Sequence, residues 1–381
     1  MALNDEVSDM SVKSDVVVIG GGVIGSSIAL QLASDGLTVT VVERDSIGNG
    51  ASGFALGLIN PTNETGNIEN LNHESYLMHR DQLERIQDES GVDAQVRTKP
   101  HLELALTEED LPELRAEVDR INRFDAFYSE WLPPTDVAKA EPRITEQNFG
   151  GVLVENVFIL DSYNYTLAVA QAAEKRGVNF VTSTVRDLSW NKSAISKVVT
   201  DQEEYDCGSV VFAMGPWTGT AGVWLDVDIP IVPQKGEIVR IAGFDKPLNH
   251  HIHGFHLNSS CSVVQKGDDQ IWLAATKQDG TGFDTAPSAE ALESLTLRGL
   301  RMIPALEEQE VVLQTVCLRP VSPDGDPILG KVPGKEGAFI ATGTGGKGIL
   351  LAPLVGRAIA DLVATGETEF DIDQFGLDRF A

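Results

Sequence analysis

Cysteine is nearly missing. Cys207, Cys261 and Cys317 are the only three in 381 residues, widely spaced and without a Cys-x-x-Cys pair. That argues against a disulfide framework or a cysteine-ligated zinc site and suits a reducing cytosol. Basic residues are also scarce, 29 against 57 acids, for a net charge of −28. The field of so acidic a molecule repels polyanions, which argues against nucleic acid and anionic membrane as partners; the excess acid reads as solubility. No apolar run reaches membrane-spanning length. The opening stretch, Met1 to Ser14, lacks the basic and apolar regions of a signal peptide and reads as a loose tail, so a cytoplasmic location is expected. Internal repeats, low-complexity tracts and an obvious Ser/His/Asp set or carboxylate pair are absent too.

What is present is organised around Asp15 to Arg44. Val16-Val17-Val18-Ile19 is a β-branched run suited to a buried parallel strand. A helical pattern follows from Val23, Gly36 ends it, and a second strand from Leu37 to Val42 ends at Glu43. This βαβ unit carries G-x-G-x-x-G at Gly20, Gly22 and Gly25. Gly20 permits the turn, Gly22 lets backbone N–H groups approach a pyrophosphate, and Gly25 lets helix and strand pack closely. The helix start, with Val23 and Ile24, adds partial positive charge there. Glu43 is placed to accept from a ribose diol. Strand, turn, helix and acid in this order predict a dinucleotide site.

Further along, Gly48 to Pro61 is dense in small residues and nearly uncharged, and reads as buried against something flat. A helix is expected over Leu71 to Glu89, a strand over Thr98 to Leu106, and a second helix from Thr107 to about Glu130. Gly150 to Leu160 reads as strands, Asp161 as a helix cap, and Val178 to Val181, Thr184 to Arg186 and Ser209 to Phe212 as further strands. From Ile229 to about Glu310 the pattern turns antiparallel, with a hairpin turn at Lys266 to Asp269 and a helix from Ser288 to Met302. Val311 to Leu318 is an apolar strand that delivers Arg319. Gly337 to Thr342, Gly343 to Gly348 and Ile349 to Ala364 then build a second strand, glycine turn and helix.

Four separated blocks now carry a resemblance: VVVIGGGVIGSSIALQLA with VVER, ASGFALGLINP, CLRPVSPDGDPILG, and ATGTGGKGILLAPLVGRAIADLV. In order and spacing the chain resembles the FAD-dependent D-amino-acid oxidase superfamily, with its glycine oxidases, monomeric sarcosine oxidases and related dehydrogenases. The resemblance implies an α/β fold, α+β overall: a Rossmann-like FAD-binding domain with a second, antiparallel-β substrate domain. The FAD domain would comprise residues 1–73, 149–228 and 319–381, and the substrate domain 74–148 and 229–318. Cofactor-binding residues would be Gly20, Gly22, Val23, Ile24 and Gly25, then Glu43 and Arg44 at the adenosine ribose. Ala51 and Ser52 would approach the pyrophosphate, Gly57 and Leu58 the flavin ring, Val185 the adenine, and Gly215 the cofactor wall. Thr344, Gly345, Gly346, Lys347, Gly348 and Ile349 would lie against the flavin's pyrimidine end.

The same resemblance makes Arg319 the clamp for a small carboxylate-bearing substrate, a task that suits a guanidinium fork. It implies oxidation of a C–N bond by hydride transfer to flavin N5, with O2 or another electron acceptor completing turnover. A 2-hydroxy-acid dehydrogenase of the same fold, or a flavin subunit of a hetero-oligomer, stays open, as does homo-oligomerisation. Three positions depart from the pattern. Cys317 stands near where sarcosine oxidases carry a flavin-linked cysteine, so a covalent link is open but not favoured. Trp272 aligns with the lysine of oxygen-using sarcosine oxidases, which favours a dehydrogenase. His250, His251, His253 and His256 have no family counterpart. In extended chain His251 and His253 share one side, and they are candidates for touching substrate. No metal is expected, since neither carboxylate nor cysteine completes a ligand set; an exposed polar edge strand is the plainer reading.

Overall fold

Buried β-branched runs alternating with helices place Val12–Ile19 at the centre of the first sheet, flanked in parallel by Val39–Glu43 and Glu204–Phe212. The computed structural model describes residues 12–62, 65–255, 260–267 and 269–381. Among these, the first sheet has eight strands. Strand Glu204–Phe212 divides its pairing: the first half runs antiparallel to Ala194–Thr200, the last half parallel to Ala338–Thr342. That fork brings the late strand, and the glycine turn after it, beside the opening βαβ unit. The second sheet is largely antiparallel. Its order is Val311–Val321, Val232–Ala242, Gln270–Ala274, Cys261–Gln265, His251–Phe255, His101–Ala105, Gly151–Val154, Ser129–Leu132. Leu102, Leu104, Ile252, Val263 and Leu273 bury one of its faces with Leu295 of the helix Ala289–Met302. Mixed α/β architecture with two large sheets is what the pattern of elements predicts.

Four expectations are corrected. Val12 to Ser14 are not tail but strand, paired with Tyr205 to Cys207, and Ser14 Oγ meets Thr40 Oγ1 at 2.8 Å. The helix after Thr107 stops at Ile121, because the Asn122 side chain bonds both the N–H (2.7 Å) and the C=O (2.9 Å) of Ser129. That amide closes the loop, and Ser129–Leu132 continues as strand. A hairpin, Val185–Asn191 with Ala194–Thr200, was not foreseen: its faces alternate weakly, and Lys192 makes the turn at φ +60. Finally, the histidine strand is no exposed edge. His251–Phe255 lies inside the second sheet, antiparallel to Cys261–Gln265 and parallel to His101–Ala105. His256 and Asp268 lie outside the described residues, as does Met1 to Ser11.

The helices Val23–Ser34 and Gly348–Ala364 pack directly on each other. A Cβ at Gly356 would fall 2.9 Å from the Ser27 Cβ and 3.0 Å from its carbonyl, so only glycine allows this approach. Pro353 lies inside the second of these helices and has no N–H to give the Ile349 carbonyl. His79 supplies that donor instead: its Nε2 reaches Ile349 O at 2.9 Å and Leu350 O at 3.1 Å, and Ser75 Oγ donates to Leu350 O at 2.6 Å. His79 is buried, and burial holds its pKa down to about 4, so it donates as a neutral ring. Among the described residues no helix is long and apolar enough to cross a membrane.

Replacing His79 with Phe leaves the Ile349 carbonyl buried without a donor. Denaturant unfolding should show a loss of about 1–3 kcal/mol, and His79→Gln should lose less.

Candidate active site

The two glycine turns open on one cavity of about 1020 Å³, at the top of the ~300–1,000 Å³ range of small-molecule sites. Gly20, Gly22, Val23 and Ile24 line it from the first turn, and Thr344 through Ile349 from the last. Gly25 does not line it. A Cβ there would fall 2.0 Å from the Gly20 carbonyl oxygen, so this glycine serves helix–strand contact behind the wall. Neither helix that opens on the cavity has a side-chain cap from its own N-cap residue, Gly22 or Lys347. Two other helices do have one: Asp161 accepts from Asn164 N, and Ser288 from Ala291 N. The helix N-termini leave partial positive charge facing the cavity, which suits a diphosphate at one and an electron-rich ring at the other. Ser52, also in the wall, stands over the first helix, its Oγ accepting from Val23 N at 3.0 Å.

One end of the cavity is polar and acidic. Glu43 Oε2 accepts from Gly21 N at 2.7 Å and Oε1 from Asp45 N at 3.0 Å, which leaves acceptor capacity on both oxygens. The Arg44 guanidinium lies 3.9 Å over the Trp217 ring, which stacks on Phe283. Val185, Gly215, Ala51, Gly57 and Leu58 complete the wall. Gly57 needs its bareness: at φ +75 a Cβ would fall 2.2 Å from the Leu160 carbonyl oxygen.

At the other end, Cys317, Arg319 and Val321 line the cavity; two apart in sequence, they share one face of strand Val311–Val321. Arg319 Nη1 donates to Thr276 O at 3.0 Å and to Gln234 Oε1 at 3.4 Å. Its plane lies flat on the neighbouring strand because residue 236 is glycine: a Cβ there would fall 2.6 Å from Nη2. Nε and Nη2, the edge that grips a carboxylate in parallel, have no hydrogen-bond partner among the described residues. Burial draws the Arg319 pKa below its usual value, and the nearby Cys317 partly opposes this. Burial pushes the Cys317 thiol up, with Arg319 opposing, so the sulfur is held as thiol rather than nucleophilic thiolate.

The histidines separate. His253 lines the cavity, with Nδ1 2.9 Å from Ser262 Oγ. His251 does not line it; the ring is buried, with neither nitrogen hydrogen-bonded. It sits in register with His101, another buried ring without a partner for either nitrogen. Tyr163 is exposed against Gly48 and Gly53, outside the cavity. Trp272 is buried behind the wall, with Arg240 over one ring centroid at 3.8 Å and Lys266 Nζ 4.8 Å from it. Sequence reading missed Gly236, Gln234, Thr276 and Lys277. Of these only Gly236 carried a signal, a glycine inside an apolar strand, which marks a close approach.

A family model described as FAD dependent oxidoreductase (DAO) matches residues 15–362. The chain belongs to that family. It is an FAD-dependent oxidoreductase, similar over its length to glycine oxidases. The Geobacillus kaustophilus glycine oxidase is 29% identical over 381 residues, covering 97% of this chain and 98% of that one. The Bacillus subtilis enzyme is 28% identical over 372 residues, covering 96% and 97%. The G. kaustophilus glycine oxidase structure matches with a TM-score of 0.89 at 28% identity, covering 96% of this chain and 99% of that one. An L-proline dehydrogenase from P. horikoshii, 22% identical with a TM-score of 0.88 and covering 97% and 98%, shares the fold.

The buried histidines make this oxidoreductase acid-sensitive. Burial lowers the pKa of His79 and His253 to about 4 and of His251 to about 3, from a usual 6.5; Lys277 adds to the effect on His253, and Lys99, Lys266 and His250 on His251. As pH falls, the unfolded chain takes up protons first. The stability from these rings is therefore full above about pH 6.5 and is lost towards pH 4. Urea midpoints should drop across that window, each histidine steepening the slope by up to ~1.4 kcal/mol per pH unit, and His251→Asn should flatten it.

Proposed function

We propose that this oxidoreductase oxidises the C–N bond of a small amino acid or N-methyl amino acid. The observation that carries the reading is Arg319: a half-buried guanidinium with its Nε/Nη2 edge unpaired among the described residues, in the cavity wall. A free carboxylate fits that edge, and the hydrogen bonds from Nη1 to Thr276 and Gln234 fix its direction. Gly346 lies beside it, a Cβ there falling 3.9 Å from Nε, so the clamp adjoins the second glycine turn. FAD, when bound, supplies the two-electron acceptor for a hydride from the carbon bearing the amine. The chain positions the substrate carboxylate, shields the reacting centre from water, and presents helix dipoles to developing negative charge.

In this reading Gly20, Gly22, Val23, Ile24, Ala51 and Ser52 hold the diphosphate, Glu43, Arg44, Val185 and Gly215 the adenosine end. Gly57, Leu58 and Thr344 to Ile349 hold the flavin. FAD is bound non-covalently, a view supported by the raised pKa of the Cys317 thiol. With FAD bound, O2 or another acceptor would complete turnover, and the imine product would hydrolyse in water. The glycine oxidases among its relatives support an amine rather than a 2-hydroxy acid as substrate. A cytoplasmic location belongs to the same reading.

Anaerobic titration should bleach the flavin with glycine or sarcosine and leave it coloured with glycolate or lactate. Arg319→Ala should raise the Michaelis constant for amino acids by at least ~100-fold, since charged hydrogen bonds of this kind contribute about 1.5–3 kcal/mol each. Gly236→Ala, which tilts the guanidinium without removing it, should raise it by a smaller factor. An unchanged constant in both would remove Arg319 from the site. Denaturing the protein in acid should release all yellow colour into the supernatant; colour retained on the chain would establish a covalent bond.

A further inference from the structure

The cavity has an uneven charge. Its wall contains only two carboxylates among the described residues, Glu43 and Asp45, both at the adenosine end. The end around Arg319 holds cations alone, Lys277 and Lys347 in addition to Arg319 itself. In a chain with 57 acids and 29 bases, that distribution is opposite to the average surface.

Lys277 is the informative one. Arg319 Nη1 reaches the carbonyl of Thr276, the residue immediately before it, at 3.0 Å. The segment is not a loose loop. Thr276 N donates to Glu237 O at 3.1 Å, Lys235 N to Gln278 O at 3.0 Å, and Gln278 N to Lys235 O at 2.9 Å, so residues 276–278 extend the sheet. Thr276 points into the protein, its Oγ1 accepting from Glu237 N at 2.9 Å, and the strand alternation sends Lys277 to the cavity side. Lys277 has no ion-pair or hydrogen-bond partner among the described residues. Beside it stands His253, with Nδ1 on Ser262 Oγ and Nε2 without a partner among the described residues. The Lys277 charge is close enough to His253 to add to burial in keeping that ring neutral. In the tautomer in which Nδ1 accepts from Ser262 Oγ, the neutral ring carries its proton on Nε2 and can donate it.

From this juxtaposition we propose that the enzyme is built for a small amino acid with a second carboxylate, the first on Arg319 and the second on Lys277 and His253. The proposal rests on the reading of Arg319 as the carboxylate clamp and narrows its substrate class. A monocarboxylate amino acid would leave the Lys277 ammonium without a counter-charge, whereas a dicarboxylate supplies one. Discrimination then comes from electrostatic complementarity at the Arg319 end of the cavity, where Lys277 stands exposed.

The test uses unreactive ligands on the purified holoenzyme at pH 7.5 and low salt. Acetate, malonate and succinate are titrated by isothermal calorimetry, and the flavin absorbance perturbation is followed in parallel. One of the two dicarboxylates should bind at least ~10-fold more tightly than acetate, in the range of a charge-assisted pair. Lys277→Gln should bring that ratio close to one, and Lys277→Arg should restore most of it. Lys277 is exposed, so neither change threatens folding. Turnover should follow, with D- or L-aspartate or glutamate exceeding glycine in kcat/KM and the advantage lost in Lys277→Gln. Equal affinity for acetate and both dicarboxylates, or a preference that survives Lys277→Gln, would overturn the proposal. Arg319→Ala separates the two claims. If acetate binding persists there, the clamp itself is misplaced; if acetate binding is lost while the dicarboxylate ratio in Lys277→Gln stays high, only the second-carboxylate site is wrong.

Discussion

The close packing of helix Val23–Ser34 on helix Gly348–Ala364 is the constraint on which the site depends. Gly356 against Ser27, and Gly25 against the Gly20 carbonyl, hold backbone at distances no other side chain permits. The approach brings two helix N-termini to opposite parts of one cavity. His79 and Ser75 then secure the second helix where Pro353 has opened its first turn. A dinucleotide site of this type is therefore assembled from packing first and polar contacts second. The amide ends do not choose their direction; the glycine contacts do.

The second sheet is organised differently. One of its faces carries a polar layer, with His101, Glu103 and His251 buried and His253 half-buried at the cavity wall, where an apolar layer would be usual. Glu103 pairs with Glu117 of the helix Leu111–Ile121, and burial with that like-charged neighbour raises the Glu103 pKa well above the carboxylate range, while Arg120 opposes. Burial in such a layer disfavours the charged forms, raising the Glu103 pKa and lowering those of the histidines. Arg319 retains charge because guanidinium resists deprotonation.

Much of this was legible in the chain. The opening βαβ unit, the small-residue stretch after it and the late strand–turn–helix all announced themselves, because glycine spacing and β-branched runs are local signals; Arg319 was picked out only through the family resemblance. The cavity walls they form follow directly. Less legible was anything settled across strands. The histidine run looks in sequence like a polar edge, since nothing local reveals that His101–Ala105 will pair with it in parallel and bury it. The Asn122 amide that stops a helix by binding Ser129 acts over seven residues and leaves no periodic trace. Lys277 is invisible for the same reason. Its place depends on Arg319, more than forty residues later, reaching the carbonyl before it.

The order in which the chain is made has a consequence for how the enzyme matures. Strand Ala338–Thr342 and helix Gly348–Ala364 complete a sheet whose first members are more than three hundred residues older. A growing chain on the ribosome can fold the second sheet's hairpins early, yet it displays an unfinished nucleotide cleft until the residues near 364 have emerged. Cofactor capture therefore waits on that late strand and helix, and a chain cut short before them keeps an intact glycine fingerprint but has no enclosed pocket.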